Sequence, residues 1–132
     1  MTDSGMRIDH AGIATDDAAE LAAQYTGLFD CSVAHRETFD GMEIIFLAFE
    51  NCYFELLEPK DDGPIANYLD SSGPGIHHLA VETADIEQAL EQARERGVGL
   101  IDEEPRPGAW GHDVAFLHPG STGGVLFEFV QH

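Results

Sequence analysis

The chain has 132 residues, 43% of them hydrophobic, which is one ordinary domain's worth of sequence and enough to bury a core. Its 25 Asp and Glu against 6 Lys and Arg give a net charge of -19 at pH 7. A surface so poor in cations excludes nucleic acid and anionic membranes as partners, because little is available to displace their counterions. The acidic residues are spread along the chain rather than gathered in a tail, so the excess belongs to the folded surface. Such self-repulsion is tolerated at molar salt, where the Debye length is about 3 Å, and it points to a halophilic source.

The opening stretch MTDSGMRIDH lacks the basic and apolar regions of a signal peptide, and no apolar run approaches the roughly 18 residues that span a bilayer. Cys31 and Cys52 have no CxxC spacing and read as small buried hydrophobes. A reducing, cytoplasmic setting is expected.

Ile8-Asp9-His10 opens a short apolar strand. Asp17-x-x-Glu20 is then a capping box, and Ala18, Leu21, Ala22 and Tyr25 fall at i, i+3, i+4 and i+7, one buried helix face, with Gly27 as the stop signal. Ser32 to Arg36, Glu43 to Phe49 and Cys52 to Leu57 have strand character. Two turn-rich segments, Pro59 to Gly63 and Ser71 to Gly75, flank a short helix predicted from Pro64 to Leu69.

The pattern then repeats. A shift of 68 positions takes Ile8 to Ile76, His10 to His78 and Asp17 to Asp85. Asp85-x-x-Gln88 caps a second helix with Ile86, Ala89, Leu90 and Ala93 on its buried face and Gly97 as its stop, and strands follow at Gly99 to Asp102, Asp113 to Leu117 and Gly124 to Val130. Neither copy can bury its sheet alone. The expected fold is α+β: two tandem βαβββ modules (about residues 6–58 and 76–131, with a linker at 59–75) packed as one domain around a metal-binding cup.

The first strand of each copy carries a histidine, His10 or His78, and the last carries a glutamate, Glu55 or Glu128. Side chains alternate across a strand, so His78 shares a face with Ala80 and Glu82, while His77 shares the other with Leu79 and Val81. Phe54 and Leu56 flank Glu55, and Phe127 and Phe129 flank Glu128, which places each glutamate opposite an apolar pair. Two imidazoles and two carboxylates suit a divalent first-row metal with positions left for an oxygen ligand, and no symmetric thiolate suggests a closed structural zinc site.

These residues resemble the vicinal-oxygen-chelate superfamily over essentially the whole chain. Within it, the segments ELLEP (55–59), PIANYL (64–69), GIHHLA (75–80), DEEPR (102–106), FLHP (116–119) and STGGVLFE (121–128) are similar to the methylmalonyl-CoA epimerase family. The resemblance implies metal ligands at His10, Glu55, His78 and Glu128, a coenzyme A thioester as substrate and a homodimer. The metal would be cobalt, manganese, nickel, zinc or magnesium. It also implies a reaction in which a carboxylate removes the proton at C2, an enolate forms, and a second acid returns the proton on the other face.

Glu128 is one candidate for proton transfer. Where some members place a second catalytic glutamate this chain has Ile44, with Glu43 one residue away on the opposite strand face. Glu43 serves as the second group if a bulge between Gly41 and Ile45 reverses it, and otherwise Glu82 or His118 does. Gly120 stands where many members have a lysine. His112 reads as site-lining or as an exposed loop residue, and Trp110 as a cover for the cup or a packing residue. The alternatives are a glyoxalase-type isomerase acting on a thiol adduct, and a metal-free ligand-binding member of the superfamily.

Overall fold

The computed structural model describes residues 5–132. Its packing divides into two units, His10–His77 and His78–His132, the second including the described residues up to Asp9. The elements in chain order are β1 (Arg7–Ala14), α1 (Ala18–Leu28), β2 (Ser32–Phe39), β3 (Met42–Ala48), β4 (Tyr53–Pro59) and α2 (Pro64–Ser72). They are followed by β5 (Gly75–Glu82), α3 (Ile86–Glu95), β6 (Arg106–Pro107), β7 (Asp113–Phe116) and β8 (Phe127–Gln131). This is the α+β pattern of two βαβββ modules. Among the described residues no helix is long and apolar enough to cross a membrane.

Both long module helices start as their capping boxes dictate. The Asp17 carboxylate accepts from the Glu20 amide at 3.0 Å, and that of Asp85 from the Gln88 amide at 3.1 Å. A second, non-local cap is added in each copy by the module's last strand: Glu58 accepts from the Ala18 amide, and Gln131 from the Ile86 amide, both at 2.8 Å. Lys60 pairs with the Glu58 carboxylate. That hydrogen bond, then the one from Ala18, holds the Glu58 carboxyl below its ordinary pKa.

In the His10–His77 unit the strands run in the order β2-β3-β4-β1, with β1 parallel to β4 and the other pairs antiparallel. Ala18 and Ala22 of α1 pack on Ile13, Ile45, Leu47 and Leu56, with Leu21 and Tyr25 partly buried at the margin. These four strand residues share one face, which leaves the other face to His10 and Glu55. The helix passes the expected stop at Gly27 and ends at Phe29, whose extended backbone donates back to the Tyr25 carbonyl at 2.8 Å. Both cysteines are half-buried free thiols rather than fully buried ones.

The second unit orders its strands β5-β8-β7-β6, with β5 parallel to β8. Ile86, Leu90 and Ala93 of α3 pack on Ala115 and Leu117, with Phe127 and Phe129 against them. Gly97 ends the helix as expected, at φ 77°. The strand expected at Gly99 to Asp102 is absent apart from a single bridge, Leu100 to Leu117. The Asp102 carboxylate takes the Phe116 amide at 2.8 Å, so that donor is lost to a ladder, and the short β6 at Arg106–Pro107 pairs with β7 instead. The last strand starts later than expected, at Phe127, because Gly123 and Gly124 turn the chain with φ of 74° and 86°.

Candidate metal centre

In the first unit, β1 sets Gly12 opposite Glu55, so His10, two residues before Gly12, and Glu55 share a sheet face. Glu55 Oε1 stands 3.2 Å from His10 Nε2. On β3 the residue opposite Glu55 is Phe46, whose ring meets the His10 imidazole edge-on at 5.8 Å. The second unit rebuilds the same group. Ala80 of β5 stands opposite Glu128 of β8, which places His78 and Glu128 on one face, with Nε2 to Oε1 at 3.8 Å. Phe116 of β7 is opposite Glu128, and its ring meets the His78 imidazole edge-on at 5.3 Å.

All four polar side chains are buried: His10 is 3% exposed, Glu55 7%, His78 4% and Glu128 6%. Burying a carboxylate is costly without a positive partner, and a chain that already carries a charge of -19 has little reason to bury two. Within each unit, a cation beside the imidazole would offset the charge of the buried carboxylate. Nitrogen and oxygen donors without thiolate suit magnesium or a first-row divalent ion, so the donor chemistry fits such a metal.

Phe46 and Phe116 were not foreseen as part of these groups. The repeated Phe-Leu dipeptide, Phe46-Leu47 and Phe116-Leu117, is the signal that marks them. In each pair the phenylalanine stands beside the His and Glu while the leucine enters the core under the helix.

Glu43 lies elsewhere. The β3–β4 register is continuous from Met42 to Ala48, so no bulge reverses it, and Glu43 shares its face with Ile45 and Leu47 rather than with Glu55. Its carboxylate accepts from Thr38 at 3.4 Å. Ile44 occupies the Glu55 side and is 1% exposed. Glu82 is on the His78 face, but four residues along the strand amounts to about 13 Å, and Arg7 and His132 engage its carboxylate. His118 is exposed and uses Nδ1 to accept from the Gly120 amide at 3.1 Å, capping a short turn. Trp110 stacks on His112 with ring centroids 5.6 Å apart, and His112 on His132 at 3.9 Å, so the loop aromatics form a stack of their own.

Residues 9–116 match the family model of the glyoxalase/bleomycin resistance protein/dioxygenase superfamily. An ethylmalonyl-CoA/methylmalonyl-CoA epimerase of Cereibacter sphaeroides is 37% identical over 130 residues, covering 95% of this chain and 97% of the relative. Among solved structures, the methylmalonyl-CoA epimerase of Mycobacterium tuberculosis superposes with a TM-score of 0.89 at 33% identity, covering 94% of this chain and 86% of the other. A methylmalonyl-CoA epimerase in complex with methylmalonyl-CoA and ammonium superposes with a TM-score of 0.92 at 34% identity, covering 97% and 95%.

Proposed function

The chain belongs to the glyoxalase/bleomycin resistance protein/dioxygenase superfamily, and from that membership we propose that it is a divalent-metal-dependent epimerase interconverting the (R) and (S) forms of methylmalonyl-CoA. The observation that carries this reading is the pair of buried His–Glu groups at repeat-matched positions, His10 with Glu55 and His78 with Glu128, in a chain similar along its length to methylmalonyl-CoA epimerases. The four side chains would hold one metal. When bound, it supplies Lewis-acid stabilisation of the negative charge that develops on the thioester oxygen as C2 loses its proton.

The protein residues handle the proton. Glu128 has a second carboxylate oxygen beyond the one directed at His78, and in this reading that oxygen removes the C2 proton from one face of the substrate. Return of a proton to the other face requires a second acid. With Glu43 on the wrong side of its sheet, we assign that role to Glu55, the repeat counterpart of Glu128 and likewise buried beside a histidine. Phe46 and Phe116 flank the two groups and keep bulk water from the carboxylates. The homodimer and the cytoplasmic setting belong to the same reading.

In heavy water with added divalent metal, deuterium is expected to enter C2 of methylmalonyl-CoA. No incorporation by metal-loaded protein, together with turnover of the methylglyoxal–glutathione adduct, would move the assignment to a glyoxalase-type isomerase. Glu43→Gln is expected to exchange deuterium within about twofold of wild type, because a side chain facing away from the donors contributes no proton transfer. Glu55→Gln keeps a ligand oxygen but removes the titrating group, so epimerisation should fall on the order of 100-fold. A large loss in Glu43→Gln with metal still bound would overturn the Glu55 assignment.

A further inference from the structure

The unit that contains His78 holds a second convergence of ligand-type side chains, formed by Asp9, Glu82 and His132, each offering an atom within 4.8 Å of the others. Glu82 ends β5 and His132 follows β8. Since Glu82 stands opposite Val130, strand alternation puts Glu82 and His132 on one face. Asp9 is 2% exposed, and its Oδ1 lies 2.7 Å from His132 Nε2. Glu82 is held from outside, with Arg7 Nε at 2.9 Å from Oε1, which leaves Oε2 turned toward His132 Nδ1 at 3.6 Å. The stacked His112 ring, 11° from parallel, fixes the plane of the His132 imidazole.

In the neutral imidazole, a hydrogen bond donated from Nε2 to Asp9 leaves the Nδ1 lone pair open. That lone pair faces a carboxylate oxygen. In that tautomer two acceptors stand 3.6 Å apart with no proton between them. Two donors that each stand about 2.1 Å from one ion at a tetrahedral angle lie about 3.4 Å apart, which is close to this gap. A carboxylate fixing the tautomer of a histidine whose other nitrogen binds a metal is a recurrent outer-shell arrangement.

We propose that His132 Nδ1 and Glu82 Oε2 form a second divalent-metal site of the zinc type, separate from the His78–Glu128 group, with Asp9 as positioning carboxylate and the remaining coordination positions taken by water. Arg7, paired with Glu82, lowers the charge of the donor set and makes this the weaker site. An ion there would tie the end of β8 to the end of β5.

The test is a calorimetric titration of the purified chain with Zn2+ alone, followed by the imidazole NMR resonances. A second, weaker equivalent is expected, accompanied by shifts in His132 and in the stacked His112. His132→Gln should abolish that equivalent and keep the stronger one, and Glu82→Gln should weaken it by more than the roughly 10- to 100-fold that loss of an outer-shell partner alone brings. His10→Ala should do the reverse, losing the stronger equivalent and keeping the weaker, so failure of the proposed function and failure of this site are read separately. A wild-type chain with no weaker equivalent, its His132 bridging the two carboxylates as an imidazolium only, would overturn the proposal. Two full equivalents in both His132→Gln and Glu82→Gln would do the same.

Discussion

Replacing His78 with alanine is expected to remove the metal from the His–Glu site and to lower epimerisation on the order of a thousandfold, since the ion supplies several kcal/mol of charge stabilisation and about 4 kcal/mol corresponds to that factor. The same substitution leaves Glu128 as a buried carboxylate without the imidazole that stands 3.8 Å away in the native chain. The fold should therefore lose stability as well. His10→Ala is expected to act alike through Glu55, whose oxygen lies 3.2 Å from His10 Nε2. Elemental analysis of the two variants, calibrated against the weaker His132 site, is the check. Unchanged metal content in both would remove the basis of the functional reading.

Thermal melts in molar KCl are expected to lie on the order of tens of degrees above melts in dilute buffer, because raising the salt from 0.1 M to 1 M shortens the Debye length from about 10 Å to about 3 Å. The cause is the charge of -19, with only 6 Lys and Arg to offset the carboxylates. Most of those cations are already paired locally, Arg7 with Glu82, Lys60 with Glu58, Arg94 with Glu91 and Arg106 with Asp102, so the excess falls to mobile counterions. Equal melting temperatures at the two salt levels would refute the halophilic inference.

What could be read in the sequence was what depends on near neighbours or on repetition. The caps at Asp17 and Asp85 are three-residue signals and were legible, as was the buried face of α3, where Ile86, Ala89, Leu90 and Ala93 are all buried. The strand expected at Gly99 to Asp102 failed because its competitor is distant: the Asp102 side chain claims the amide of Phe116, 14 residues away.

The facing of Glu43 was also open to deduction. Asp40-Gly41 is a two-residue hairpin turn with φ of 52° and 73°, the signature of a type I′ connection, and it sets Phe39 opposite Met42. That register leaves no room for a bulge before Ile45, and the Asp-Gly pair announces it. A side chain at Gly41 would be strained by the positive φ, and its Cβ would meet the Asp61 carboxylate at 3.0 Å.

The contact between Lys60 and Glu58, which steadies the cap on α1, bears on covalent self-damage. Acyl thioesters transfer their acyl groups to neutral amines, and an enzyme that holds such compounds is exposed to them at every turnover. This chain has one lysine side chain. Its hydrogen bond to Glu58 raises the ammonium pKa above the ordinary lysine value, so the unprotonated, nucleophilic form is scarcer still. The arginines that supply the rest of the positive charge stay protonated and do not acylate under these conditions. A composition suited to salt thus also leaves the protein with almost no side-chain amine for its proposed substrate to modify.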